Sequence, residues 1–570
     1  MRNVKNLFGM AVMATALVAC SSSDDLTPNG NEGNQTGAAY ASFRINLPTT
    51  SGTRADDPKP GTPSFDEGTA KEYEVKNGTI LIFDNDGKYV TSAKLGTMNP
   101  WTDVKSDGVT TAAIATVQLT GVKVGGEYKA LVLLNNDVDE LTHKVKVTLP
   151  ETGVSYADWS KNASNVSVDN YTKTDYIFMA NAPKYDATSE PTTLVKVNNI
   201  CASREEAQAK AATTVYVERG LAKVTMQDYK TGGYTIADGT TYAGDKVVIT
   251  DWKLDVTNKS TYPVHQTGGL KDAWNQIWGT GRFFDNTSSS FKRVYWGVDP
   301  NYSGNALQSL TACQAAFNMI KNSEVEGKTG NDHPQYCLEN TFDLANMMQG
   351  QTTRVVFKAV YTPKALEGTT EKTFYKIGNN TAIWKEADLK QQIHTVAVTA
   401  MGITDATEQA KYGVKLDATD NNISGAAGQH LIKAENITYT GDAADNKVDE
   451  NVVNKINEKL GLKEEDGKIT SGISTYLNGE AYYIARVKHF NELTPWEAGK
   501  AYGTDNAAFL GRYGVLRNNW YDLSVTSISG LGYPDVPEVK PTVPDDENDQ
   551  YINVEVKILS WAKRSQSIDL

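Results

Sequence analysis

The side chains that carry most enzyme chemistry are present in this sequence but unassembled. His143, His265, His333, His394, His430 and His489 fall in no ligand spacing, and the sequence holds no nucleophile elbow, no P-loop and no H-E-x-x-H. Asp84-Asn85-Asp86-Gly87 opens like a calcium loop but lacks the later ligand positions and the closing Glu, so a hairpin turn is expected there and no metal. His333 to Cys337 has no second ligand pair and reads as ordinary packing. The expectation is a protein that is not an enzyme and takes no cofactor. The chemistry that residue type and spacing do support is done to the chain or between chains: acylation of a cysteine, proteolysis after an arginine, and strand addition.

The cysteine is Cys20. Arg2 and Lys5 precede an apolar run, Leu7 to Ala19, that is too short to span a bilayer and suits a signal peptide. The run ends Leu17-Val18-Ala19-Cys20, which resembles the bacterial lipoprotein signal, so residues 1–20 are expected to end at a Cys20 that carries lipid (palmitate). Ser21 to Asp25 resembles the acidic export tag of surface lipoproteins of the Bacteroidales. Residues 20–54 then form a propeptide, with Gly30 to Ala39 a flexible tether.

The arginine is Arg54, with Ala55 after it. Just before them, A-S-F-R-I-N-L puts Ala41, Phe43, Ile45 and Leu47 on one face of a strand. The same pattern closes the chain: Ile552, Val554, Val556 and Ile558 alternate with Asn553, Glu555 and Lys557. Residues 534–550 carry Pro534, Pro537, Pro541 and Pro544 and an acidic run, a composition that forms no core, so the last strand (551–570) is expected to be held away from its own domain. Two segments are thus written for one kind of slot. The first is expected to be detached by a cut after Arg54 and replaced by the C-terminal strand of another copy.

The elements that must position these segments read as mainly β. Short alternating runs with turn signals recur from Tyr73 onward, as in a sandwich: G-T-I-L-I-F-D-N-D-G-K-Y-V, Glu127 to Asn136, Asp175 to Ala180, Asp245 to Asn258, Arg354 to Tyr361 and Ala481 to Lys488. Val215 to Thr225 reads as the last strand of a first domain, 55–230, with 231–533 as the second. Helical spacing is visible around Arg204 to Ala211, over Asn305 to Asn322, and over Lys447 to Leu462, where Val452, Val453, Ile456 and Leu460 share a side.

Composition limits the partners. The chain has 570 residues and a formal net charge of −13, which argues against nucleic acid or an anionic membrane surface as a partner. Beyond Cys20 only Cys201, Cys313 and Cys337 remain, too few for a disulfide scaffold, although Cys313 and Cys337 could pair.

Taken together, these features resemble the fimbrillins, the major fimbrial subunits of Bacteroidales that build type V pili from lipoprotein precursors, and most nearly the shaft subunit of the short fimbriae. The residues that carry the resemblance are the signal ending in Cys20, the Arg54 site, V-E-R-G-L-A-K-V, Tyr336 to Phe342, Tyr513 to Gly532, and the tail ending S-I-D-L. It implies two tandem transthyretin-like β-sandwiches, maturation by an arginine-specific extracellular protease, strand exchange into a homopolymer, accessory tip and anchor proteins, and a role in adhesion and biofilm formation. The precursor would be held at the outer membrane by its lipid and the mature form would lie in cell-surface fimbriae. Asp56 and Asp57 after the cut depart from an ideal site for a trypsin-like protease. Two other readings stand beside this one: an anchor or tip component of such a fimbria, and a surface glycan-binding lipoprotein of two sandwiches.

Overall fold

The computed structural model describes residues 38–48, 69, 72, 74–95, 102–103, 109–136, 145–168, 176–185, 190–269, 294–302, 307–341, 343–416, 428–489, 509–545 and 552–560. Cys20, Arg54 and Ala55 lie outside them. The fold is mainly β, as expected, with few helices.

The N-terminal half is built on a nine-stranded sheet, beside which Lys146–Val147 and Val166–Ser167 form a small two-stranded one. The strands of the larger sheet are β1 (Ala39–Pro48), β2 (Gly78–Phe83), β3 (Tyr89–Lys94), β4 (Thr102–Asp103), β5 (Val109–Leu119), β6 (Lys129–Leu134), β7 (Met179–Asn181), β8 (Val195–Lys196) and β9 (Thr213–Arg219). They run in the order β3-β2-β6-β7-β9-β1-β5-β4, with β8 on β6. The β2–β3 hairpin turns at Asp84 to Gly87: Lys88 N–H donates to Asp84 Oδ1 (2.8 Å), and Gly87 holds φ 81°, which glycine adopts without strain. The first residues of β9 pair with β1 and its last residues with β7, so this strand joins two arms of the sheet around one apolar core. On the other face a second core, with Leu81, Phe83, Leu131, Leu133 and Trp159, also takes in Leu221, Val264, Tyr336 and Leu338 from further along the chain.

Val215 to Thr225 is not the single strand that its apolar pattern suggested. The chain changes sheet at Gly220–Leu221, and β10 (Ala222–Met226) begins the C-terminal half. A side chain at Gly220 would meet Phe178 Cδ1 at 2.9 Å, so the close passage there requires glycine.

In the C-terminal half two four-stranded sheets share one core. One contains β11 (Tyr234–Thr235), β12 (Lys246–Asp255), β14 (Arg354–Thr362) and β19 (Glu480–Arg486). The other runs β13-β10-β20-β21, with β13 Gln335–Cys337, β20 Asn519–Ile528 and β21 Ile552–Ser560. Trp252, Phe357, Tyr361, Tyr483, Tyr521 and Leu523 fill the space between them. Inserted between β14 and β19 is a layer the sequence reading did not isolate. In it β15 (Phe374–Ile377), β16 (Ile383–Trp384), β17 (Gln429–His430) and β18 (Ile473–Tyr476) form a small sheet. Two long helices pack on it around a separate core of Leu389, Ile393, Ile456 and Ile473.

Of the helices, α1 (Arg204–Ala209), α2 (Leu310–Ala316) and α4 (Glu450–Leu460) fall where the spacing placed them, and α3 (Glu386–Ala400) does not appear among the expectations. Asp449 caps α4 by accepting from Val452 N–H, and Gly461 ends it at φ 72°.

The Cys313–Cys337 pairing is corrected. Both are free buried thiols, as is Cys201, and the two lie in different cores. Burial pushes the Cys313 thiol up to about 11 and the Cys337 thiol up to about 12.

Candidate functional site

β1, the strand expected to be detached, occupies an inner position. β1 pairs along its whole length with β5, antiparallel, and from Phe43 to Asn46 with β9, parallel. Ala41, Phe43 and Ile45 are fully buried and Leu47 nearly so, all in the N-terminal core. Its other face is covered by α1. Ser42 Oγ donates to Ala207 C=O (2.8 Å), and Arg204 of the same helix donates from Nη1 to Thr116 C=O on β5 (2.9 Å). At the strand's start Tyr40 and Cys201 exchange both backbone hydrogen bonds, at 2.9 and 2.8 Å. Burying Phe43, Ile45 and Leu47 is worth a gross total of about 5–9 kcal/mol. Taking β1 away uncovers those side-chain seats and leaves unpaired N–H and C=O groups on both β5 and β9. Only another extended segment with apolar residues at every second position satisfies the seats and the backbone together.

The C-terminal strand is not held in solvent, and here the expectation from composition is corrected. β21 pairs antiparallel with β20 of its own chain. The register sets Ile552 opposite Ile528, Val554 opposite Val525, Val556 opposite Leu523 and Ile558 opposite Tyr521. The Val554 side chain is buried in the C-terminal core. The proline-rich segment before it is docked as well. Arg354 Nη2 donates to Pro537 C=O (2.6 Å), Val536 N–H donates to Asn322 Oδ1 (2.8 Å), Val539 is buried, and Thr352 Oγ1 donates to the buried Asp545 (2.8 Å). Such a segment builds no core of its own, but its carbonyls and valines can be accepted by one already formed. β20 offers a full edge of free backbone groups, and β21 takes it.

The two strands sit differently. β1 has a partner on each side, whereas β21 is the last strand of its sheet. A segment moving from the second kind of seat to the first gains a second backbone ladder, at a net value of about 0.5–1.5 kcal/mol per hydrogen bond.

Between the two halves lies a buried polar junction that sequence reasoning missed. Lys223 Nζ is 2.8 Å from Glu72 Oε1, both side chains at 1% exposure, and Tyr336 Oη donates to the same carboxylate (2.5 Å). Burial pushes the Glu72 carboxyl up, but the charge of Lys223 and the hydrogen bonds from Lys223, Tyr336 and Thr69 N–H outweigh it, so the group lies below its usual range. Arg219 Nε donates to Glu72 C=O (3.0 Å). Beside this, Arg517 forms an ion pair with Glu339 at 2.5 Å, and Asn258 donates to Asp299. Burial pushes Asp299 up to about 7, against the donors from Asn301 and Thr341 N–H. No group of three or more metal-ligating side chains occurs among the described residues.

Residues 474–567 match the family model described as major fimbrial subunit protein type IV, fimbrillin, C-terminal. This stretch spans β19, β20 and β21, so the tail strand and the strand it pairs with both lie inside the matched region. The match supports a fimbrial subunit. No curated protein matches the chain. Solved structures with a similar course include a candidate cell adhesion protein from Parabacteroides distasonis, at 11% identity and TM-score 0.38, covering 92% of this chain and 98% of that one. The tip fimbrial protein Mfa3 from Porphyromonas gingivalis with C-terminal truncation aligns at 10% identity and TM-score 0.27, covering 92% and 100%. A fimbrial assembly protein from P. distasonis aligns at 13% identity and TM-score 0.27, covering 60% and 92%.

Proposed function

We propose that this chain is the shaft subunit of a cell-surface fimbria and that it polymerises by strand exchange. The precursor is exported as a lipoprotein through Cys20 and held at the outer membrane. An arginine-specific protease cuts between Arg54 and Ala55, β1 leaves, and β21 of another copy enters the slot between β5 and β9. Tandem domains that meet at Gly220 give each subunit one acceptor half and one donor half. The observation that carries the reading is the inner position of β1 near the start of the chain, matched by an apolar period of two in β21 at the edge of its sheet. The junction at Glu72 keeps the segment that follows the cut fastened to the subunit after β1 has gone.

Incubating purified precursor with an arginine-specific protease should give SDS-resistant ladders, and filaments should begin at Ala55 on N-terminal sequencing. Arg54→Ala should leave the longer precursor and few filaments. Cys20→Ala should leave precursor in the periplasm.

A second reading is favoured by the observed pairing of β21 with β20. Copies could exchange tails at that same edge, as a domain swap that needs no cut. Arg54→Ala separates the two, because a swap at β20 polymerises without proteolysis and exchange into the β1 slot does not.

A further inference from the structure

We propose that α1 fixes the direction and register of the strand that replaces β1. It admits only a small side chain with one donor and one acceptor where Ser42 sits, so Asn553 of the incoming copy comes to rest there. This rests on the strand exchange proposed above. The apolar seats alone select a register poorly, because a slip of two residues keeps the apolar face inward and still fills three of the four.

The selection lies on the outward face of β1. Ser42 is 6% exposed beneath the helix. Its Oγ donates to Ala207 C=O (2.8 Å) and lies 2.8 Å from Thr116 Oγ1 on β5. A hydroxyl has one proton, so Thr116 supplies the proton of the second bond. The seat therefore presents one acceptor and one donor. It outlasts β1, because Arg204 holds α1 to Thr116 C=O and residues 210–212 lead from α1 into β9.

A tail laid in the direction of β1 places Ile552, Val554, Val556 and Ile558 in the seats of Ala41, Phe43, Ile45 and Leu47, and so brings Asn553 to the place of Ser42. Its amide can donate to Ala207 C=O and accept from Thr116. Glu555 and Lys557 take the places of Arg44 and Asn46, where Arg44 Nε donates to Asn46 Oδ1 (3.3 Å), so a pair of opposite charge replaces that contact. The long stem of Lys557 carries its ammonium out of the buried Asn46 seat. A slip of two residues either way puts Tyr551 or Glu555 beneath α1, and a reversed strand that fills all four seats puts Lys557 there. Tyr551 is too large for the place of a serine. An ionised glutamate only accepts and a lysine only donates, so each leaves a buried partner unpaired, which is costly.

The test has an arm on the seat and an arm on the tail. In the uncut precursor, Ser42→Asn should melt close to wild type, whereas Ser42→Glu and Ser42→Leu should melt lower. For the tail, copies carrying Ile552→Cys, Val554→Cys or Val556→Cys are cleaved and oxidised with copies carrying Ala115→Cys, the partner of Phe43 in the ladder. Position 554 should give the highest yield of disulfide to residue 115. Asn553→Asp should lower the yield of ladders about tenfold, and Asn553→Ser should keep it. A Ser42→Asn precursor as unstable as Ser42→Leu, a stronger link from position 552 or 556, or wild-type ladders from Asn553→Asp would each overturn the assignment and leave strand exchange standing. No link to residue 115 from any of the three positions would overturn both.

Discussion

Val554 stands opposite Val525 in the ladder between β21 and β20, and its side chain is buried in the C-terminal core. A tail that is donated to another copy must therefore leave a seat in its own subunit first. Departure uncovers the β20 edge, and the gain of a two-sided seat between β5 and β9 must exceed that loss. Under the proposed exchange, the tail would be held at home until a better slot opens, and the precursor would stay monomeric.

Val554→Asp places a carboxylate in that core without a partner. It should lower the melting temperature of the uncut monomer, at a cost of several kcal/mol, and should also abolish ladders after proteolysis. Glu555→Ala, at an alternate position, should change both much less. Thermal unfolding of the monomer alongside filament yield reads the two effects separately.

Phe43→Ala tests whether β1 is lost on assembly. In the precursor it should cost about 3–5 kcal/mol, because Phe43 is fully buried. Filaments made from the same variant should melt like wild type, since the strand that carries the change has been removed. A filament destabilised as much as its precursor would show that β1 stays.

The junction gives a third expectation. Lys223→Met leaves Glu72 buried without its counter-charge and should destabilise the chain by about 3–5 kcal/mol. The double variant Glu72→Leu, Lys223→Met should recover most of that loss. Chemical denaturation of the two variants checks it.

Asp299 makes stability fall as pH rises. Its folded value is raised to about 7 from an ordinary 3.8, so between those values the unfolded chain has released a proton that the folded chain still holds. The penalty from this residue is absent below about pH 4, grows up to about pH 7 and is constant above it. Asp299→Asn should remove it, so the melting temperature of the variant relative to wild type should rise between pH 4 and pH 7.

Much of this was readable from residue order. The period of two in Ala41 to Leu47 does bury Phe43 and Ile45, the turn at Asp84 to Gly87 does join two strands, and Val452, Val453 and Ile456 do face a core. What stayed hidden depended on distant partners. Nothing near Pro537 announces that Arg354 will donate to its carbonyl, and nothing near Glu72 announces Lys223, because both contacts are made across the fold. The split at Gly220 was masked because both sheets it joins are apolar. α3 did leave a signal, with Leu389, Ile393 and Ala397 at four-residue spacing, but its many polar residues and two threonines hid it.

The central claim is the destination of the tail. Copies carrying Val554→Cys are mixed before cleavage with tagged copies carrying either Ala115→Cys, which β1 covers at Phe43, or Val525→Cys, which faces Val554 at home. After arginine-specific cleavage and oxidation, cross-linked peptides are identified by mass spectrometry. Strand exchange predicts disulfides between residue 554 of one copy and residue 115 of another. Disulfides between residue 554 of one copy and residue 525 of another, with none to residue 115, would contradict it.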